Sequence, residues 1–208
     1  MDDILVVNNN AHPDTSPAVA QTAAREVVET KQGYGAAIRR GLRETTAADL
    51  VCVCEPDGTF DPADLLKLLP FTSDVDVVFG SRTVQTFILS GANMGWFLRW
   101  GNWAVAKLTE VLYNTVYLSD VGCTFRVLKR SAIDEMSPFF VGNESSFGFE
   151  MMLLASQKKM SMVQVPVKYQ ERVGESSVTG SQSKAVKLGL QMIAMCLRMR
   201  FTSRSGRK

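Results

Sequence analysis

The sequence predicts an α/β domain built on a mainly parallel sheet flanked by helices. Three observations carry that expectation. Short apolar runs of strand character alternate with helix-patterned segments from Ile4 to Phe79. The run Asp49-Leu-Val-Cys-Val-Cys54 is apolar without a break, the pattern of a parallel strand covered on both faces. The next helix has a well-marked start: Asp61 as N-cap, Pro62 in the first position and Asp64 in the first turn.

Taken in order, residues 4–7 read as a short buried strand, followed by a loop over 8–17 and a helix over 18–25. A second strand covers 26–29. Lys31-Gln-Gly-Tyr-Gly35 is a turn, and a helix over 36–43 places Ile38 and Leu42 on one face. The strand at 49–54 leads to a helix over 62–69 and a strand over 75–79. Residues 95–117 are strongly apolar, with Trp96, Trp100 and Trp103 spaced for one helix face, which is expected to face the core. A helix over 147–156, a strand beginning at Met162 and running to Tyr169, and a helix over 183–201 complete the set. The domain is expected to span 1–182, with a C-terminal helix and basic tail over 183–208.

With 208 residues, 46% hydrophobic and 21% charged, the chain has the composition of an ordinary globular protein. A disordered chain, a collagen-like repeat and a disulfide scaffold are excluded. The net charge of +2 leaves no global basic field, so nucleic acid is not an expected partner. Cys52, Cys54, Cys123 and Cys196 form no C-x-x-C pair, and His12 is the only histidine, so a zinc site is not expected. Unpaired cysteines fit a reducing, cytoplasmic compartment. Asp2 and Asp3 stand where a signal peptide would be basic, and no apolar stretch reaches the roughly 18 residues of a membrane span.

The strongest chemical signal is a strand that ends directly in two carboxylates, Glu55 and Asp57. Open α/β sheets bind ligands at the carboxyl ends of their strands. Two acids there can hold a hard divalent cation through oxygen, and such a cation neutralises a departing diphosphate. Gly58 permits a tight turn. A helix-capping loop would explain Asp61, but not two neighbouring acids that repel each other without a cation.

The stretch Glu55-Pro-Asp-Gly-Thr-Phe-Asp61-Pro62 resembles the D-x-D region of family 2 glycosyltransferases, close to D-A-D-G-x-x-D-P. Gln32-Gly-Tyr-Gly35-Ala-Ala-Ile-Arg-Arg-Gly41-Leu42 resembles that family's N-R-G-K-G-x-A-x-x-x-G segment. Val77-Val-Phe-Gly-Ser-Arg82 resembles V-x-G-S-R, and Asp120-Val-Gly-Cys-Thr-Phe-Arg126 resembles D-x-x-x-G-F-R. Phe149-Glu150, Val165-Pro166-Val167 and Arg172-Val-Gly-Glu-Ser-Ser177 resemble the C-terminal half of dolichol-phosphate mannosyltransferase-like members. One such match is weak alone, and the ordered set is specific.

The resemblance implies a GT-A fold, a nucleotide-diphosphate sugar donor and inverting transfer of a hexose, with polyprenyl phosphate as the implied acceptor. It implies Mg or Mn held by Glu55 and Asp57, and catalytic roles for Asp57, Asp120 and Glu150. Substrate-binding roles are implied for Asn8, Gln32, Gly33, Gly35, Arg82, Arg126, Arg172, Ser176 and Ser177. Arg82 would face phosphate or sugar, and Arg126, Arg172, Ser176 and Ser177 an acceptor phosphate. Gly33 and Gly35 would open a helix N-terminus to an anion. For Glu150 two readings stand, an acceptor-side carboxylate and a charge at a helix start.

Three departures accompany the resemblance. The family's opening strand, S-V-V-I-P-x-Y-N-E, is not present; Asn8, Asn9 and Asn10 stand where an acid follows the second strand; Glu55 replaces the first Asp of D-x-D. They leave an alternative: a truncated or degenerate domain that binds a partner without catalysis, or self-associates through an exposed sheet edge. The helix over 183–201, followed by Arg204, Arg207 and Lys208, also has two readings. Either it packs on the domain, or it lies at the cytoplasmic face of a membrane as a peripheral contact.

Overall fold

The computed structural model describes residues 3–92, 94–174 and 182–202. Strands β1 (Leu5–Asn8) and β2 (Arg25–Val28) pair in parallel, with Val7 opposite Val27. A second sheet has the order β3 (Leu50–Val53), β5 (Arg126–Lys129), β4 (Val77–Ser81), β6 (Met162–Pro166). β4 and β6 are parallel, and β5 is antiparallel to both β3 and β4. β3, β4 and β6 therefore share one direction, and β5 alone opposes them.

The helices are α1 (Thr15–Val19), α2 (Tyr34–Glu44), α3 (Leu65–Leu68), α4 (Trp96–Tyr113), α5 (Arg130–Met136), α6 (Phe147–Gln157) and α7 (Gln182–Thr202). Period-two alternation divides the core. Val77 and Phe79 of β4, with Leu128 of β5, face a large cluster shared with α2, α4, α5, α6 and α7. Val78 and Val127 face a smaller cluster with Phe60, Leu68, Phe125 and Tyr169. α6 is buried from Phe147 to Ser156, as a helix apolar on every side should be. α7 enters the large cluster through Met192 and Cys196, and Tyr113 donates to the Cys196 carbonyl at 2.8 Å.

Several local expectations are corrected. The first helix is α1, with Asp14 before it and Pro17 in its first turn, so Arg25 is free to begin β2. β3, expected as a parallel strand, is an edge strand: among the described residues it pairs only with β5, antiparallel, and its Leu50 is exposed. The tryptophan face does not meet the core. α4 buries Val105, Ala106, Thr109 and Tyr113 instead, while Trp96, Trp100 and Trp103 are 72%, 48% and 43% exposed. Both faces of α4 are apolar, so periodicity alone could not say which one packs, and the smaller side chains allow the closer approach.

The carboxyl ends of β3, β4 and β6 lie at one end of the sheet, beside the segment that enters β5. That places Glu55, Arg82, Asp120 and Arg172 around one end.

Candidate active site

The acidic turn that leaves β3 is held by its own hydroxyl and by a distant strand-like segment. Asp57 Oδ1 accepts from Thr59 N at 3.0 Å and Thr59 Oγ1 at 2.6 Å. Phe60 bridges Tyr169, Gln170 N donates to the Thr59 carbonyl at 2.9 Å, and Val173 N donates to the Asp57 carbonyl at 2.8 Å. Asp61 caps the next helical turn through Ala63 N at 3.0 Å and takes Lys168 Nζ at 2.8 Å. Lys168 lowers the Asp61 carboxyl below its ordinary range by that hydrogen bond, with Ala63 adding to it.

This clamp delivers Arg172 to the acids. Its Nη2 lies 2.7 Å from Asp57 Oδ2 and 3.0 Å from Glu55 Oε2. Arg172, expected at an acceptor phosphate, has its guanidinium between the two carboxylates that would otherwise repel. Burial raises the Glu55 carboxyl above its ordinary value, and Asp57 beside it adds to the shift. Burial pushes Asp57 the same way, but hydrogen bonds from Thr59, contact with Glu55 and the charge of Arg172 prevail, leaving it lowered. Asp57 Oδ2 is buried and accepts no hydrogen bond, despite its closeness to Arg172.

Among the described residues no three His, Cys, Asp or Glu side chains converge as a metal cage. The donor set is two carboxylates, one with an oxygen short of a donor. That suits a hard cation that takes one or two protein carboxylates and completes its shell with phosphate oxygens and water.

Arg82 grips Asp120 through Nε to Oδ2 and Nη2 to Oδ1, both 2.9 Å. Asp120 also accepts Arg82 N and Gly122 N at 2.9 Å each and is fully buried. Burial alone would raise this carboxyl, but Arg82 holds it below the usual range. Arg82, expected at phosphate or sugar, faces a carboxylate, and Asp120, expected to be catalytic, has its lone pairs occupied.

Glu150, fully buried, accepts Val141 N at 2.7 Å and Gly142 N at 2.8 Å. It orders the loop before α6 and does not project to an acceptor. That loop sets the glycines of the β2–α2 turn. A Cβ on Gly33, whose φ is +140°, would stand 2.3 Å from the Asn143 carbonyl oxygen. A Cβ on Gly35 would stand 2.6 Å from Phe147 Cβ. Ala36 N donates to that same Asn143 carbonyl at 3.1 Å. The two glycines, expected at an anion, instead admit the close approach of the 143–147 segment, and Gly33 N and Ala36 N are taken by Asn9 and the Asn143 carbonyl.

Asn8 donates to Ser16 Oγ at 3.1 Å and Glu26 Oε1 at 2.9 Å, so its amide serves the loop rather than a base or ribose. Gln32 reaches Asn9, whose Oδ1 also accepts Gly33 N at 2.8 Å. Arg126 is fully buried, donates to the Gly148 carbonyl at 2.7 Å and to the Cys123 carbonyl, and lies over the Phe79 ring. It cannot meet an acceptor phosphate without leaving the core. Ser176 and Ser177 lie outside the described residues.

Tyr34, Thr59, Asn9 and Lys168 carry site geometry that sequence reasoning missed. The Tyr34 hydroxyl, the Thr124 hydroxyl and Arg126 Nε are buried without hydrogen-bond partners. Burial raises the Tyr34 phenol, which lies near Arg126 and Glu55. Next to the Arg82–Asp120 pair a cavity of about 340 Å³ opens, lined by Ser81, Arg99, Trp100, Trp103, Tyr117 and Ser119 among others.

The family model for glycosyl transferase family 2 matches residues 2–137, well over half the chain. The chain belongs to glycosyl transferase family 2. This glycosyltransferase is 30% identical over 179 residues to an uncharacterized glycosyltransferase of Mycobacterium tuberculosis, covering 85% of this chain and 78% of that one. It is 26% identical over 198 residues to the dolichyl-phosphate hexose transferase of Haloferax volcanii, covering 94% and 82%. Over 191 residues it is 26% identical to the undecaprenyl-phosphate mannosyltransferase of Micrococcus luteus, covering 86% and 76%. Its GT-A fold is that of glucosyl-3-phosphoglycerate synthase from Mycobacterium tuberculosis, solved with Mn2+, uridine diphosphate and phosphoglyceric acid. That structure superposes with a TM-score of 0.71 at 15% identity, covering 96% of this chain and 68% of the other.

Proposed function

We propose that this glycosyltransferase moves a hexose from a nucleotide-diphosphate sugar to a polyprenyl phosphate, with inversion, at the cytoplasmic face of the membrane holding that lipid. The carrying observation is that the two candidate carboxylates beyond the acidic turn, Asp120 and Glu150, are buried and held by other protein groups. Asp120 is occupied by Arg82 and two backbone N–H groups, and Glu150 by the loop at 141–142. A hydroxyl acceptor would need a general base within hydrogen-bond reach. A phosphate monoester, with a second pKa of about 6, arrives already ionised and needs none. The polyprenyl-phosphate transferases among its relatives support the same acceptor class.

Glu55 and Asp57 would hold Mg or Mn together with the donor diphosphate, and the cation would neutralise charge on the leaving group. The family-neighbour structures with Mn2+ and uridine diphosphate support that pairing. Arg172 then exchanges a carboxylate for a phosphate oxygen, a planar donor suited to either. Arg82 and Asp120 fix the floor beside the sugar without entering the chemistry. The unpaired cysteines support a reducing compartment.

The experiment offers the purified chain one nucleotide-sugar donor with polyprenyl phosphate or with the matching polyprenol. Product from the phosphate alone is the expected result. Equal rates with the free alcohol would defeat the proposal.

A further inference from the structure

α4 turns an aromatic face outward. At 100° per residue, positions 96, 100, 103, 107 and 111 fall on one stripe, opposite the buried Val105 and Thr109. The three tryptophan rings on it are continuous, with centroids 6.2 Å apart between Trp96 and Trp100 and 5.3 Å between Trp100 and Trp103. Tyr117, also exposed, extends the stripe by stacking on Lys107 Nζ at 3.7 Å. Beside it Phe97 is exposed, and beyond it Val111. A contiguous aromatic surface of this kind marks an interaction face.

Charge points to the partner. α4 carries two cations, Arg99 and Lys107, against one acid, Glu110, while α7 packs on the opposite side of α4 through Cys196 against Thr109 and Tyr113. Glu110 is paired internally with Lys107 and with Leu118 N. Tryptophan and tyrosine, apolar bodies with a polar tip, sit at the headgroup level of bilayers, and cations there meet anionic lipid. Among the described residues no helix is long and apolar enough to cross a membrane.

We propose that the outward face of α4, centred on Trp96, Phe97, Trp100 and Trp103, is a bilayer-contact surface that docks this domain on anionic phospholipid. Trp100, Trp103 and Tyr117 also wall the cavity whose floor holds Ser81 and Ser119, next to Arg82 and Asp120. A domain seated on this face opens that cavity at the depth where a lipid-borne phosphate lies. The assignment rests on the acceptor proposal for its purpose only.

The test needs neither donor nor acceptor, so its failure is distinct from failure of the proposed reaction. The chain has three tryptophans, all on this face, so intrinsic emission reports it alone. Vesicles of phosphatidylcholine with phosphatidylglycerol should shift the emission to the blue and shield it from iodide. Bromine-labelled lipid should quench it. Added salt should reverse the binding. The paired substitution Trp96→Ser with Phe97→Ser should lower vesicle partitioning roughly tenfold or more, equivalent to about 1.4 kcal/mol. Both residues are exposed and outside the cavity lining, so the melting temperature and binding of uridine diphosphate with manganese should be unchanged. Unaltered emission with anionic vesicles would overturn the proposal. So would a blue shift that follows protein concentration without lipid, which would make the face a contact between two copies.

Discussion

Arg172 stands as the counter-ion of Asp57: its guanidinium lies 2.7 Å from a carboxylate oxygen that accepts no hydrogen bond. A protein group thus occupies the position where a donor-bound cation is proposed to act. Arg172→Ala should therefore strengthen binding of manganese alone, by removing a competing positive charge, while weakening binding of uridine diphosphate with manganese. Calorimetry of both titrations checks the two opposite signs.

Asp57→Asn removes half the charge of the donor set and keeps the turn, because Pro56 and the Thr59 hydrogen bonds remain. Metal-dependent nucleotide binding should fall at least tenfold, about 1.4 kcal/mol. Identical metal dependence in the variant, measured by calorimetry, would remove the acidic turn from the donor site.

Glu55 carries a stability cost with a defined sign. Its folded carboxyl is raised above the ordinary value of 4.5, so the folded state holds its proton more tightly than the unfolded chain. Stability is therefore lost as pH rises from about the unfolded value through the folded one. Glu55→Gln should raise the melting temperature at neutral pH, flatten that pH dependence, and lose metal-dependent binding. A lower melting temperature at pH 7 would contradict the assignment.

Asp120→Asn leaves a buried guanidinium without its charge partner. A broken buried pair costs about 3–5 kcal/mol, so denaturant melts should report a loss of that size. The lowered Asp120 carboxyl contributes stability above the ordinary Asp range and loses it as pH falls through its folded value. The variant should therefore lose the steepest part of the acid transition.

Gly35→Ala is the test of that close approach of the 143–147 segment. Its Cβ would meet Phe147 Cβ at 2.6 Å, with the Asn143 carbonyl carbon at 2.8 Å, so helix and loop must separate. Overpacking of this kind costs about 1–3 kcal/mol. An anion site would instead have tolerated the fold and lost ligand; thermal melts beside nucleotide titrations separate the two.

Features set by near neighbours were legible in the sequence. Asp61 bonds to Ala63 two residues on, and Glu55 and Asp57 leave an apolar run whose end shows in the composition. The partners of Asp120 and Arg172 were not legible, since Arg82 is 38 residues from one and Glu55 is 117 from the other. Hydropathy also carries no strand direction, so β5, which starts at the last residue of a motif read for its charges, gave no sign of running against its neighbours. The outward turn of the tryptophans was hidden because both faces of α4 are apolar.

The strands of the described residues form two separate hydrogen-bonded sheets. Among the described residues β1 pairs with β2 alone and β3 with β5 alone, and α2 packs against both β1 and α6. The first sheet can therefore unzip without breaking a single rung of the second. In hydrogen exchange the amides of β1 and β2 should open as their own cooperative unit, at a lower free energy than those of β4 and β5. Tyr34 opens α2 beside that first unit while its hydroxyl is buried near Arg126 and Glu55, so α2 joins the part of the molecule that breathes to the part that holds Glu55, Arg82 and Asp120 shut.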